Sequence, residues 1–222
     1  SGPSAEPANT LSRSGPDTTV LSVGDDWQSI YRFAGSDVRY SKDFETMVGP
    51  GTTVALDRTF RFNNQIATLA SEFVGRNPAQ TKKSIRSDRP ERLEPAVALV
   101  PTAQVELGFA AVLEAINRRA QAAGTTATVY GLARYRYELD PLRPLGRSAP
   151  TSHPWIKSVT LSSVHGSKGL EADYVVIVGL RPGKSGFPAD KPVDPFHELF
   201  LPPREAFPFA EERRLFYVAV TR

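Results

Sequence analysis

A short polar segment with three aromatic residues, GDDWQSIYRFAGSD at residues 24–37, has residue types suited to contact both phosphate and bases. The Gln28 side chain can hydrogen-bond a phosphate oxygen or an attacking water molecule. Exposed rings such as Tyr31 and Phe33 can stack on unpaired bases, worth about 1 to 3 kcal/mol per base. The same two rings could instead belong to the core of a short helix, and the segment alone leaves both interpretations open.

A second segment, SVTLSSVHGSKGLEADYVVIVGL at residues 158–180, places a polar loop between two apolar strands. The loop contains His165 and Gly169, and the absence of a side chain on glycine lets the backbone approach a ligand closely. Asp173 comes immediately before the second strand, where an acid commonly caps a turn. We therefore expect a ligand-facing loop and a structural role for Asp173.

Two further segments place arginine at a helix end. In LDRTFRFNNQI, residues 56–66, Arg61 precedes a predicted helix for which Asn63 is the available N-cap. In EERRLFYVAVTR, residues 211–222, the apolar spacing predicts an amphipathic helix with Arg222 at its far end. Amphipathic packing explains most of the second pattern, and the residues alone favour a surface position for Arg61.

The elements that must position these segments alternate along the chain. Apolar runs predict strands at residues 19–23, 96–100, 126–132, 158–164 and 173–180. Helical periodicity predicts helices at residues 64–74, 105–123 and 211–221. Alternating strands and helices predict an α/β fold with a parallel sheet and helices on both faces. Two proline-containing stretches, residues 75–95 and 181–208, are predicted to be surface excursions, because proline interrupts helices and central strands.

Composition limits the classes of partner and site. The chain has 222 residues, no cysteine and three scattered histidines, which excludes disulfides and disfavours a structural metal site. No apolar run approaches the roughly 20 residues of a membrane span, so we expect a cytoplasmic protein without a membrane partner. A formal charge of +3 and an isoelectric point near 9.2 favour a polyanionic partner without deciding on one.

The segments at residues 24–37 and 158–180 resemble motifs III and V of the UvrD/Rep-type superfamily 1 DNA helicases. The family patterns are G-D-x-x-Q-S-I-Y-x-F/W-x-G-A and T-x-H-x-A/S-K-G-L-E-F/A-D-x-V. The sequence GDDWQ, which contains Asp26 and Trp27, is similar to the helicase IV branch of this family. The resemblance implies a RecA-like fold of the P-loop NTPase type, specifically the second motor domain.

The two arginine segments resemble motifs IV and VI of the same family. Residues 211–222 follow E-E-R-R-L-x-Y-V-A-x-T-R throughout, whereas residues 56–66 depart from L-x-x-N-Y-R-S at Thr59 and beyond Arg61. By resemblance, the residues that bind ATP are Gln28, Phe60, Arg61, Gly169, Glu171 and Arg222. Among them, Gln28, Arg61 and Arg222 would act in catalysis at the γ-phosphate.

More specific roles follow from the same resemblance. Phe60 would stack on adenine, and Glu171 would accept a hydrogen bond from the ribose. Arg61 would reach the γ-phosphate across an interdomain cleft, and Arg222 would neutralise charge in the transition state. These roles describe one half of a two-sided nucleotide site.

The resemblance also implies a set of DNA-binding residues: Tyr31, Phe33, Arg134, His165 and Lys168. Tyr31 and Phe33 would stack on single-stranded DNA, while His165 and nearby backbone would hold the phosphodiester chain. Arg134 lies in GLARYRYEL, residues 131–139, which is similar to a strand-end segment that touches the DNA backbone.

The phosphate-binding pattern G-x-x-x-x-G-K-[ST] is absent, and so is the acidic run that supplies Mg²⁺ ligands. In the family both lie on the first RecA-like domain, so this chain should not hydrolyse ATP alone. We predict a linker or cloning remnant at residues 1–18, the C-terminal end of the first RecA-like domain at 19–40, and the second RecA-like domain at 41–222. The stretch between Arg61 and His165 is short, so the helical subdomain inserted in many relatives is expected to be rudimentary or missing.

The implied function is the C-terminal part of an ATP-dependent 3′ to 5′ DNA helicase or translocase. Its cofactors would be ATP and Mg²⁺, and its partners single-stranded DNA or a partial duplex and the first RecA-like domain of the same protein. An alternative is an ATP-driven factor related to helicase IV that remodels RNA polymerase, which upstream coiled arms would reveal. A degenerate structural domain is a third interpretation, and the intact set Gln28, Arg61, Glu171 and Arg222 argues against it.

Overall fold

The computed structural model describes residues 19–89 and 94–222, so the predicted linker at residues 1–18 lies outside the described residues. Its helices are α1 Arg39–Lys42, α2 Phe44–Met47, α3 Asn64–Gly75, α4 Val105–Ala122, α5 Arg143–Ser152, α6 Pro195–Glu198 and α7 Ala210–Val220. Its strands are β1 Arg58–Thr59, β2 Arg86–Ser87, β3 Ala127–Ala133, β4 Ile156–Ser163 and β5 Tyr174–Ile177. Single 3-10 segments lie at Asp26–Gln28, Arg32–Ala34, Arg136–Leu142 and His165–Ser167. No helix in the two described ranges is long and apolar enough to cross a lipid bilayer.

The main sheet contains β3, β4 and β5, with β3 in the centre and both neighbours parallel to it. Val129 of β3 pairs with Val159 of β4 on one side and with Tyr174 of β5 on the other. Since β4 and β5 run in the same direction, the loop between them must return from the carboxyl end of the sheet to its amino end. This loop carries the predicted site residues of the segment at 158–180.

Helices cover both faces of the sheet, which confirms the predicted architecture. Val129 and Ala133 point into a core cluster with α4 and α5, where Phe109 and Leu113 are buried. The intervening residues of β3, Tyr130 and Leu132, face the opposite cluster, which is built from α3, α7 and the segment around Trp27. The alternation follows from the period of two along a strand.

Two predicted strands do not form. Residues 19–23 and 96–100 are described, yet neither has a strand partner among the described residues, and Leu21 and Leu99 are 88% and 82% exposed. An apolar run becomes a strand only where a neighbouring backbone accepts its hydrogen bonds. The prediction was therefore wrong at both positions.

A second parallel ladder joins β1 to β2, so the segment at residues 56–66 is tied to the stretch at 75–95. That stretch is more than the predicted surface excursion, because the side chains of Asn77, Gln80 and Ser87 are buried. Residues 181–208 fit the prediction better, although Phe187 is buried in the core on the α7 face.

Helix α5 was not predicted from the sequence. It contains Pro144, Gly146 and Pro150, which are poor signals for a helix. Gly146 packs against β4, where an added Cβ would lie 3.5 Å from Val159 Cγ1. Close packing on the sheet outweighs the weak intrinsic preference of this segment for a helix.

Candidate functional site

The segment at residues 24–34 is held by a buried anchor. Asp25 caps the first 3-10 turn by accepting a hydrogen bond from Trp27 N at 3.1 Å. Trp27 and Ile30 are almost fully buried against α7, and the Trp27 ring meets Tyr217 edge to face with centroids 5.2 Å apart. This anchor leaves Gln28 at the surface of the core, next to the end of α7.

A polar cluster forms around Arg222, which follows α7 and is only 4% exposed. Arg222 Nε donates to the carbonyl of Val218 at 2.9 Å, and Nη2 lies 3.4 Å from Gln28 Oε1. Its Nη1 is buried and has no hydrogen-bond partner in the part of the chain that the structure describes. Because a buried charged donor without a partner is costly, an acceptor is expected at this point.

Arg61 brings a second positive charge to the polar cluster. Its Nε lies 3.4 Å from Glu171 Oε2, and both side chains are partly exposed. Burial, together with the nearby charge of Arg61, lowers the pKa of Arg222 to about 10. Two guanidinium groups in one cluster suit an anionic ligand, because each can donate several hydrogen bonds to it.

An aromatic cluster forms where the segments at residues 24–37 and 158–180 meet. The ring of His165 lies 5.7 Å from that of Tyr31 and 5.3 Å from that of Phe33, measured between centroids. The Tyr31 hydroxyl donates to the carbonyl of His165 at 3.0 Å, and His165 Nε2 lies 3.0 Å from the carbonyl of Ile30. Phe33 is 62% exposed, so the core interpretation of this ring is wrong.

His165 is neutral at physiological pH. Burial lowers its pKa to about 4, and the charge of Arg134 acts in the same direction. A carbonyl oxygen faces Nε2, so this nitrogen carries the single proton of the neutral ring and donates to Ile30. The imidazole therefore braces the two segments against each other.

Lys168 connects the two clusters. Its ammonium group donates to the carbonyl of Gln28 at 3.0 Å and lies 5.0 Å from the centre of the Tyr31 ring. Burial lowers the pKa of Lys168, and the charge of Arg222 adds to this effect. The next residue, Gly169, has φ +88°, a left-handed conformation that favours glycine.

Two predicted site residues lie at the edge of these clusters. The Phe60 side chain is 69% exposed beside Arg61, and its carbonyl accepts from Arg89 Nε at 2.6 Å. Arg134 is paired with Glu212 at 2.8 Å, and its charge still reaches His165. The structure thus places Phe60 at an open surface and gives Arg134 an ion-pair partner within the chain.

Sequence reasoning missed a buried network behind the polar cluster. The Asp26 carboxylate is buried and accepts hydrogen bonds from Lys83, Gln80 and the amide of Thr81. Arg214 of α7 is also buried, where it donates to the carbonyl of Ser29 at 2.7 Å. The only signal in the sequence was the pair of adjacent acids after Gly24, which gives no indication of a partner more than fifty residues away.

Two structural roles expected from the sequence are confirmed. Asn63 Oδ1 caps α3 by accepting from Ile66 N at 3.1 Å. Asp173 Oδ2 accepts from the amide and hydroxyl of Thr128, which ties the start of β5 to β3. No group of three acidic or histidine side chains suited to a metal ion occurs within residues 19–89 and 94–222.

The chain is similar to known DNA helicases over the segments that form this site. The profile of the UvrD-like helicase C-terminal domain matches residues 142–222, which include the loop after β4 and the whole of α7. Residues 142–222 are therefore a UvrD-like helicase C-terminal domain. The matched domain is the second RecA-like domain of these helicases, so the predicted fold class is confirmed.

Several helicases of this family are similar to the chain. DNA helicase IV of Escherichia coli K12 is 39% identical over 213 residues, which is 96% of this chain and 29% of that protein. ATP-dependent DNA helicase UvrD2 of Mycobacterium bovis is 43% identical over 82 residues, or 36% of this chain and 10% of the relative. ATP-dependent DNA helicase UvrD1 of the same organism is 32% identical over 73 residues, or 33% of this chain and 10% of the relative.

The chain therefore spans less than a third of DNA helicase IV and about a tenth of each UvrD relative. No solved structure matches it. The match to DNA helicase IV extends over nearly the whole chain, whereas the domain profile begins in the segment before α5.

Proposed function

We propose that this chain completes the interdomain ATP site of a 3′ to 5′ DNA helicase or translocase and grips single-stranded DNA. The chain alone is proposed to be inactive, because its sequence lacks the phosphate-binding loop. The names of its relatives, DNA helicase IV and ATP-dependent DNA helicase UvrD2, support ATP as the energy source and DNA as the substrate.

The observation that carries the proposal is the placement of Arg222 beside Gln28 and near Arg61. Arg222 Nη1 is buried without a partner in the described residues, and its second terminal nitrogen lies 3.4 Å from Gln28 Oε1. A γ-phosphate oxygen would satisfy this donor, and charge developing in the transition state would be stabilised by the guanidinium. Gln28, Arg61 and Arg222 are then the catalytic residues of this half of the site.

The remaining nucleotide contacts are proposed around Arg61. Glu171 is exposed enough to accept from a ribose hydroxyl, and Phe60 presents a free ring face for adenine. The open left-handed backbone at Gly169 lets the loop pass close to the nucleotide. On binding, Arg61 would exchange its weak pairing with Glu171 for the γ-phosphate.

The aromatic cluster is proposed to hold the DNA strand. Phe33 and Tyr31 offer rings for stacking, and the Lys168 ammonium supplies positive charge beside the Tyr31 ring. The charge of Arg134 reaches the same cluster at His165. Neutral His165 fixes the rings and the adjoining backbone, so its contribution to phosphate binding is through the position of the loop. The bond from Lys168 to the Gln28 carbonyl links DNA grip to nucleotide state.

The domain boundaries predicted from the sequence fit this proposal. Residues 19–40 would end the first RecA-like domain, and residues 41–222 would form the second. The burial of Trp27 and Ile30 against α7 is then a contact between the two motor domains. Mg²⁺ would bind with ATP, but Asp25 and Asp26 are both engaged by Lys83, so these residues do not fit a role as its ligands.

The proposal is tested by ATP hydrolysis of the gene's full-length product with and without single-stranded DNA. Arg222→Ala is expected to lower DNA-stimulated kcat by about 10³-fold or more while ATP binding is retained. Arg118→Ala, a change of an exposed arginine on α4, is the matched control and should leave kcat unchanged. A rate of ATP hydrolysis that is the same with and without single-stranded DNA would contradict the helicase proposal. It would favour an ATPase that remodels a protein complex such as RNA polymerase.

A further inference from the structure

A chain of three side-chain contacts leads from the stretch at residues 75–95 to Arg222. Lys83 Nζ donates to Asp25 Oδ1 at 2.6 Å, and Gln28 Nε2 donates to Asp25 Oδ2 at 2.6 Å. At the other end of the same amide, Gln28 Oε1 accepts from Arg222 Nη2 at 3.4 Å. Lys83 therefore connects to the polar cluster without being part of it.

The orientation of the Gln28 amide follows from its two neighbours. A carboxylate only accepts hydrogen bonds and a guanidinium only donates them. The amide nitrogen must therefore face Asp25, and the amide oxygen must face Arg222. A rotation of the amide by half a turn would bring acceptor to acceptor and donor to donor.

Lys83 is itself held in place by several contacts. Its ammonium group also pairs with the buried carboxylate of Asp26 and lies 5.4 Å from the centre of the Trp27 ring. Two residues earlier, the carbonyl of Thr81 accepts from Trp27 Nε1 at 2.9 Å. Lys83 is thus fixed relative to the segment that carries Gln28.

We propose that Lys83 is a positioning residue. Through Asp25, it fixes the Gln28 amide so that the amide oxygen accepts a hydrogen bond from the attacking water. The proposal rests on the proposed function and makes it more specific. Because Asp25 occupies the donor end of the amide, the end left at the nucleotide is an acceptor. An acceptor suits a water molecule that must lose a proton and is unfavourable next to a phosphate oxygen.

Asp25 needs Lys83 for this role. The Asp25 side chain is partly exposed, and two hydrogen bonds, from Trp27 N and Gln28 Nε2, converge on the same carboxylate as Lys83. Without the ammonium group, only these two hydrogen bonds hold the Asp25 carboxylate, and they must compete with solvent and with the nearby charge of Arg222. The Gln28 amide then loses its fixed orientation.

The first test is steady-state ATP hydrolysis by the full-length product at saturating single-stranded DNA. Lys83→Ala is expected to lower kcat by about tenfold with little change in KM for ATP, since binding does not use Gln28 as an acceptor. Lys83→Arg, which keeps the charge and a donor, should recover most of kcat. Lys82→Ala, a change of the exposed neighbouring lysine, is the matched control and should match the wild type.

A double-mutant cycle separates positioning from a general effect on folding. In a Gln28→Ala background, Lys83→Ala should cause no further loss of kcat, because the residue it positions is gone. A further loss of about tenfold in that background would overturn the proposal. Equal kcat for Lys83→Ala and Lys82→Ala would overturn it as well.

A second variant covers the case in which Lys83→Ala fails to fold. Asp25→Asn keeps the size of the side chain and removes its charge, so it should lower kcat in the same way and lose its effect in the Gln28→Ala background. Arg222→Ala in the same assay reports on the proposed function. Loss of activity in Arg222→Ala with none in Lys83→Ala or Asp25→Asn would reject the positioning role alone, whereas full activity in Arg222→Ala would reject the proposed function.

Discussion

The polar cluster around Arg222 and the aromatic cluster around His165 are built in opposite ways. Arg222 is buried and its neighbours are fixed by hydrogen bonds, whereas Phe33 is open and is held by ring contacts. A desolvated guanidinium interacts strongly with an anion of defined geometry, while an exposed ring accepts any base. The difference fits the proposed functions, in which the polar cluster discriminates between nucleotide states and the aromatic cluster accepts any DNA sequence.

Because the two clusters are separate, we expect changes in the polar cluster to affect hydrolysis and to spare DNA binding. Arg61→Ala should lower DNA-stimulated kcat of the full-length product by about 10²-fold, because one positive charge at the γ-phosphate is lost. Affinity for single-stranded DNA without nucleotide, measured by fluorescence anisotropy, should change less than about twofold. A large loss of DNA affinity would show that the two clusters are not separate in function.

The reverse result is expected for the aromatic cluster. Phe33→Ala should weaken binding of single-stranded DNA by about tenfold, which corresponds to the loss of one stacked base. ATP hydrolysis without DNA should stay at the wild-type rate. Tyr40→Ala, which removes another exposed ring from the same part of the chain, is the control and should leave DNA affinity unchanged.

Lys168 is expected to affect both clusters, because it contacts residues of each. Lys168→Ala removes both the bond to the Gln28 carbonyl and the charge above the Tyr31 ring. We expect a loss of about threefold in DNA affinity together with a similar loss of stimulation by DNA, in line with one exposed cation–π contact. An effect on only one of the two measurements would place Lys168 in one cluster and not between them.

The smallest expected effect is a pH dependence of stability that arises from His165. Its pKa is lowered in the folded chain from the ordinary 6.5 to about 4, so the unfolded chain binds more protons between these values. The stabilising contribution is therefore present above about pH 6.5 and is lost as the pH falls toward 4. Thermal unfolding between pH 7.5 and 4.5 should show this loss, and His165→Gln should flatten that part of the profile.

The sequence was sufficient to predict features that depend on residues close together in the chain. The strands β3, β4 and β5 were predicted because each lies in a run rich in apolar residues. The Asn63 cap was predicted because it lies three positions from the amide that donates to it. Residues 24–37 also revealed the candidate ring and amide positions before any fold was known. In each case the signal lies within a few residues of the structure that it predicts.

The sequence was insufficient where the stabilising partner is distant. Lys83 and Asp25 lie 58 positions apart in sequence and 2.6 Å apart in space, and nothing in either segment indicates the pairing. The strand predictions at residues 19–23 and 96–100 were wrong because a composition that suits a strand is not enough. No described neighbour pairs with either segment. Long-range contacts decide both outcomes, and local patterns carry no information about them.

In the proposed function, the nucleotide state of the polar cluster controls the affinity of the aromatic cluster for DNA. The most direct test measures the affinity of the full-length product for single-stranded DNA with and without a non-hydrolysable ATP analogue, in the wild type and in Arg222→Ala. We expect a change in DNA affinity of about fivefold or more in the wild type and little change in the variant, because coupling requires Arg222 to sense the γ-phosphate. An equal change in both proteins, with the analogue bound to both, would show that Arg222 does not couple nucleotide binding to DNA binding.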